Sequence, residues 1–370
     1  MTLFTPAAMG NLTLANRIVR SATWEGMCPP QGEPTEKLNQ CYRDLARGGV
    51  GLIISGYTYV SPEGQQLPGK MGIYTDTFKD AFCALTDAVH QEGGKIAIQL
   101  VHAGGQANSK TTGTPTVAPS AFKADQFGEM PQELSPEDIQ RIIKAFGDAA
   151  ARAKAWGFDA VQLHGAHGYL INQFLSPLTN QRTDEWGGSL ENRSRFLEAV
   201  YKVVRAQVGD DYPVFIKLNA ADHVEGGLSE ADGLAVAKRL SDLGMDAIEV
   251  SSGTPASGAM GPARPKINAP EKEAYNMDLA RAVKAQVSCP VIAVGGFRSC
   301  AVAQAAVQEK GVDFIALSRP LIAEPDLPRR WEADADYTAF CISCSKCFMP
   351  GLRKGGIACV VKEKQAAKSE

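Results

Sequence analysis

Ala160-Val161-Gln162-Leu163-His164-Gly165-Ala166-His167-Gly168-Tyr169-Leu170-Ile171-Asn172-Gln173-Phe174-Leu175-Ser176-Pro177 is the stretch from which the chain is best read. Its first four residues form a short run that reads as a buried strand. Two imidazoles, His164 and His167, follow at once, and the phenol of Tyr169 stands just beyond them. In a barrel of alternating strands and helices, the C-terminal ends of the strands carry the chemistry. Two imidazoles can offer two N–H donors to one oxygen, and a phenol carries a proton it can give away. A carbonyl held in that way, with an acid nearby, is a substrate polarised for reduction.

The same kind of run recurs along the chain. Apolar segments of strand length, rich in Val, Ile or Leu, occupy 17–21, 50–55, 95–101, 159–164, 214–218, 247–251, 291–295 and 313–318. Short continuous runs are expected of parallel strands covered on both faces. Helical patterns lie between them, at 75–92, 135–156, 191–208, 229–243 and 276–287. Ser135 with Asp138 marks a helix start, and Pro136 suits the first helical position. Eight strand–helix units favour a closed (β/α)8 TIM barrel over an open doubly wound sheet. No Gly-x-Gly-x-x-Gly follows the first strand, so nothing supports a Rossmann domain. The longest loops, 103–133 and 252–273, follow the third and sixth strands on the expected catalytic face, where long loops are usually functional. The chain thus reads as one barrel domain over 1–331 and a cysteine-bearing extension over 332–370, whose charged end, 362–370, is expected to fray.

Composition narrows the function. A chain of 370 residues with 44% hydrophobic and 21% charged residues can bury a full core. The net charge of -3, with no Lys/Arg cluster interleaved with aromatics, argues against nucleic acid as a partner. No apolar run approaches the roughly 18 to 20 residues that span a bilayer, and residues 1–6 lack the basic and apolar segments of a signal peptide. A cytoplasmic protein without membrane association is expected. Of nine cysteines, Cys28, Cys41, Cys83, Cys289 and Cys300 are scattered and read as reduced thiols. Cys341, Cys344, Cys347 and Cys359 are clustered, with gaps of two, two and eleven residues. Four thiolates so spaced suit a [4Fe–4S] cluster or zinc, or remain free thiols.

Five blocks carry a family resemblance: Asn16-Arg17-Ile18-Val19; Gln99-Leu100-Val101-His102-Ala103-Gly104; the stretch from His164 to Pro177; Asn180-Gln181-Arg182-Thr183-Asp184-Glu185-Trp186-Gly187-Gly188-Ser189; and Ser318-Arg319-Pro320-Leu321-Ile322-Ala323. In that order, from Leu3 to about Trp331, the chain resembles the Old Yellow Enzyme family of FMN-dependent, NADH- or NADPH-driven ene-reductases. The resemblance implies an enzyme that reduces the activated C=C bond of α,β-unsaturated carbonyl compounds. It implies that His164 and His167 grip the carbonyl oxygen and that Tyr169 donates the proton. Gln99 and Lys217 would meet the pyrimidine edge of the flavin, Tyr57 its O4 edge, and Ala22, Thr23 and Trp24 would lie along it. Gly295 and Gly296 after the seventh strand, with Ser318 and Arg319 after the eighth, would cup the phosphate.

Three positions depart from the family pattern. Lys217 stands where many relatives have Arg, keeping the charge without the bidentate fork. Ser318 stands where Gly is usual. Trp24 replaces a smaller residue and is expected to narrow the pocket or stack on substrate. An unpaired ammonium at Lys217, inside a strand, would be costly, so it calls for an anion. The cysteine tail resembles the 2,4-dienoyl-CoA reductase and trimethylamine dehydrogenase branch, with its second gap one residue short. Two other readings therefore stand beside the reductase: a flavin and iron–sulfur dehydrogenase of amines or alcohols, and an electron-transfer subunit with no substrate of its own. A homo-oligomer is compatible with all three.

Overall fold

The structure, a computed structural model, describes residues 2–369. Eight parallel strands close on themselves: β1 (Ile18–Arg20), β2 (Leu52–Tyr59), β3 (Ile96–Val101), β4 (Ala160–Gly165), β5 (Val214–Asn219), β6 (Ala247–Ser251), β7 (Val291–Val294) and β8 (Phe314–Leu317). Each pairs with its neighbours in chain order, and β1 pairs with both β2 and β8, so no barrel edge is left open. Outside lie α1 (Glu36–Arg47), α2 (Lys79–His90), α3 (Pro136–Ala155), α4 (Leu190–Val208), α5 (Glu230–Asp242), α6 (Met277–Lys284), α7 (Cys300–Gln308) and α8 (Leu327–Ala333). This is the TIM barrel expected from the alternation. The start of α3 is also as read: Ser135 Oγ accepts the Asp138 N–H at 3.1 Å.

Some local features differ from the sequence reading or add to it. The second strand does not stop at Ser55 but runs on to Tyr59, with a register shift against β3 between Ile54 and Tyr57. Gly56 sits inside this strand where space is short: a Cβ there would stand 2.6 Å from the Thr23 carbonyl oxygen. Helix α1, absent from the helical patterns read in the sequence, buries Leu38, Tyr42 and Leu45 on one stripe, and Thr35 Oγ1 caps it by accepting from Leu38 N–H. A hairpin of Ala7–Met9 with Leu12–Leu14 precedes the barrel, its three-residue strands too short to show a period. The end of the chain, expected to fray, is helical over Val360–Ser369, while Glu370 lies outside the described residues.

Two apolar cores sandwich the strands. The larger packs helices against the barrel wall, with Ile216, Leu218, Leu163 and Leu100 facing outward. The smaller fills the barrel's lower end with Val19, Leu52, Ile54, Phe215, Ile292 and Phe314, and takes in Met9, Leu12 and Leu14 of the hairpin. Inward and outward residues alternate, as strand geometry demands. The next inward positions up the strands are polar, and they begin the site.

Candidate active site

Five inward side chains form a closed network above the apolar floor. Lys217 Nζ on β5 lies 3.0 Å from Glu249 Oε1 on β6 and donates to Ser21 Oγ at 2.7 Å, just past β1. Ser21 Oγ donates to Glu249 Oε1 at 2.7 Å, and Gln162 Nε2 on β4 donates to Glu249 Oε2 at 2.8 Å. Gln99 Nε2 on β3 donates in turn to Gln162 Oε1 at 2.8 Å. The anion that Lys217 calls for is therefore Glu249, whose side chain is fully buried. Sequence reasoning did not single it out. The signal was a lone carboxylate at an inward position of an otherwise apolar strand.

One step higher, the strand ends deliver the imidazoles and the phenol. His164 is the penultimate residue of β4, and its Nδ1 accepts the Ala166 N–H at 3.3 Å, which leaves its proton on Nε2. The backbone then turns through left-handed conformations at His167 (φ 60°) and Gly168 (φ 74°). That turn brings the His167 ring back over the barrel, where its Nε2 lies 2.8 Å from Ser251 Oγ on β6. A Ser251 hydroxyl that donates here fixes the His167 proton on Nδ1. The two imidazole centroids are 5.0 Å apart, and that of Tyr169 is 4.9 Å from His164. Tyr169 Oη donates to Gln66 Oε1 at 2.8 Å, and its ring meets Tyr57 edge-on at 5.1 Å.

Burial sets the protonation of this group. It pushes His164 far below the usual imidazole range, helped by the charges of His167, Lys217 and Lys70. His167 is pushed down to about 3, by burial first and Lys217 second. Burial also raises the Tyr169 phenol. At neutral pH the imidazoles are neutral N–H donors and the phenol keeps its proton. That arrangement can polarise an oxygen and protonate a carbon.

The far side of the cleft is built for an anion. Gly296, with φ 78°, follows β7, and Ser318 and Arg319 follow β8. Arg319 is buried, its guanidinium donates to Ser345 Oγ at 3.0 Å, and among the described residues no carboxylate pairs with it. Ser318 Oγ and Thr23 Oγ1 are 2.7 Å apart and tie the ends of β1 and β8. Ala22 and Thr23 line the cleft with Gly296, whereas Gly295 stands behind it and accepts the Tyr275 N–H at 3.0 Å. The cleft has a volume of about 250 Å³, and every other site residue named from the barrel sequence lines it.

Trp24 has a role the sequence did not show. Its indole stacks on Phe348 (centroids 6.2 Å apart) at the start of a tail helix, α9 (Phe348–Lys354), and Gly351 of that helix packs against the ring. The tail thereby forms part of the cleft wall, through Ser343 and Phe348. On the other side of Arg319, Cys341, Cys344, Cys347 and Cys359 all line one small cleft. Among the described residues no three His, Cys, Asp or Glu side chains are grouped to hold a single metal ion.

Fold and site together define a TIM-barrel oxidoreductase with a donor-lined cofactor cleft at its mouth. Residues 2–336 match the family described as NADH:flavin oxidoreductase / NADH oxidase, and the chain belongs to that family, whose flavin is FMN. It is 38% identical over 348 residues to the NADH oxidase of Thermoanaerobacter brockii, covering 93% of this chain and 52% of that protein. It is 37% identical over 332 residues to the NADPH dehydrogenase of Bacillus subtilis, covering 88% and 93%. The solved structure of an old yellow enzyme homologue from Zymomonas mobilis superposes with a TM-score of 0.80 at 32% identity, covering 92% of this chain and 95% of that one. The chain spans about half the length of the first curated relatives it matches, 52% and 54%. No helix among the described residues is long and apolar enough to cross a membrane.

Proposed function

We propose that this protein reduces the activated C=C bond of α,β-unsaturated carbonyl compounds with electrons from NADH or NADPH. The observation that carries the reading is the gathering of two neutral imidazoles and a protonated phenol over the Lys217–Glu249 network. The donor set fits FMN, because a buried guanidinium without a carboxylate, a glycine turn and an indole N–H without an acceptor border one cleft. Arg319, Gly296 and Ser318 would hold the phosphate, Gln99 and Lys217 the pyrimidine edge, and Ala22, Thr23 and Tyr57 the ring system. When bound, FMN would supply hydride-transfer chemistry between the nicotinamide and the β carbon of the alkene.

The chain's own residues do the rest. His164 Nε2–H and His167 Nδ1–H donate to the substrate carbonyl oxygen, and these bonds tighten as negative charge reaches it. Tyr169 gives its proton to the α carbon. Ser343 and Phe348 of the tail form part of the wall beside these atoms. None of the nine cysteines is joined in a disulfide, which suits a cytoplasmic setting. Stopped-flow reduction by each nicotinamide, followed by reoxidation with 2-cyclohexenone, tests the reading. Fast turnover in both halves is expected. Rapid reduction with no reoxidation by any enone counts against it and favours an electron-transfer role.

The tail cysteines are read as ligands of an iron–sulfur cluster, because all four line one cleft. A zinc ion would need its sulfurs within about 2.3 Å of a single point, and they are not so grouped. Held there, the cluster would supply one-electron transfer beside Arg319. Iron analysis and a visible spectrum of anaerobically purified protein check this. Protein without iron and without absorbance beyond the flavin bands rejects it.

A further inference from the structure

Three cations line the cleft: Lys70, Lys217 and Arg319. Lys217 has Glu249 as its partner, and Arg319 stands at the phosphate end. Lys70 has neither kind of company. It lies between β2 and α2 and is only 4% exposed. Its Nζ sits 3.7 Å from the Tyr57 ring centroid and 5.8 Å from that of Tyr169. Among the described residues no carboxylate pairs with it. The acid that acts on it most, Glu25, is taken up by Arg20 at 3.4 Å and by the Tyr42 hydroxyl at 3.0 Å.

We propose that Lys70 is an anion-recognition residue and that the cleft takes α,β-unsaturated carbonyl substrates bearing a second, anionic group such as a carboxylate. The proposal rests on the reductase reading and names its substrate class. A buried ammonium on an aromatic face recovers only part of its lost hydration. The remainder is regained when an anion arrives through the cleft, which Lys70 lines together with Tyr169. Burial already pushes the ammonium down to about 7, so the empty site binds its proton loosely. A bound carboxylate reverses that drift and holds the substrate's charged end beside the proton donor. The carbonyl end is left to His164 and His167, so the double bond lies between two fixed points.

Monomethyl and dimethyl fumarate differ by one negative charge on the same alkene and serve as probes. Flavin-loaded enzyme at pH 6 is assayed for the ratio of kcat/KM on the monoester to that on the diester. Lys70→Met and Lys70→Gln are each expected to lower this ratio roughly 10- to 100-fold, the scale of a lost hydrogen bond to a charged group, and Lys70→Arg to retain most of it. A ratio unchanged in the uncharged variants overturns the proposal. So does loss of FMN from them, which would place Lys70 in the cofactor's cradle instead. A second arm uses the wild type alone and needs no turnover. Monomethyl succinate should bind at least about tenfold tighter than dimethyl succinate, read from the flavin absorbance, and equal affinities reject the proposal. If neither fumarate is reduced while the succinates still differ, the reductase reading fails and the anion site stands.

Discussion

Phe215 and Lys217 stand two residues apart on β5 and point into the same barrel, yet their surroundings have nothing in common. Phe215 belongs to a floor packed only by apolar side chains. Lys217 belongs to a layer in which four partners exchange hydrogen bonds. The pleat is the same, so the difference lies entirely in which residue the sequence places at each inward step. A floor can be filled by any apolar set of the right volume. A buried ionic layer fails if one member is missing, because the remaining charge is stranded. The mouth is therefore the specified end of the barrel, and the floor is the tolerant one.

The contrast can be tested from its strongest expected consequence downward. Replacing both His164 and His167 by Ala should slow reoxidation by enone 10³-fold or more, on the scale of about 3 kcal/mol for each oxyanion donor. Stopped-flow rates near wild type would remove the pair from the mechanism. Next, Glu249→Ala should cost about 3–5 kcal/mol of stability, because Lys217 is left buried and unpaired, and it should weaken flavin retention as well. Phe215→Ala should cost a similar 3–5 kcal/mol by leaving a cavity, but its folded fraction should still retain flavin. Denaturant melts with flavin fluorescence separate the two variants. If both retain flavin equally, floor and mouth do not differ as described.

Acid should act on the mouth before the floor. Both imidazoles are held below their unfolded value near 6.5, His167 at about 3. Between those limits the unfolded chain binds more protons than the folded one, so stability is full above about pH 6.5 and is lost as pH falls toward 3. The slope is up to about 1.4 kcal/mol per pH unit for each imidazole. Variants lacking both imidazoles should show a flatter dependence in urea melts across that window. The smallest effect is expected from Ser251→Ala, which frees the His167 ring at a cost of about 1 kcal/mol in the enone step. A full loss of activity there would make Ser251 a direct participant.

The barrel was legible because its strands are continuous apolar runs, and the imidazole–phenol block because it abuts one of them. What escaped reading depends on contacts between segments distant in sequence. Nothing in the sequence marks Gly56 until Thr23 is seen to press against it. Glu249 looks like an intruder in a strand until β5 is laid beside β6 with Lys217 opposite. Lys70 carries no motif at all, and only the Tyr57 face beneath it makes it notable. Trp24 lines the pocket as its position implies, and its partner Phe348 lies in the tail, beyond the barrel that the family pattern describes.

The N-terminal hairpin, finally, acts as a stopper. Met9 and Leu14 are fully buried against the floor, and Gly10 at the bend fits so closely that a Cβ would fall 2.5 Å from an Asp246 carboxylate oxygen. With its base filled in this way, the barrel offers the cleft at its mouth. On the proposed reading, electron donor and electron acceptor would both use that cleft, and if they occupy it in turn, initial rates measured against one reactant at several fixed levels of the other should give parallel double-reciprocal lines.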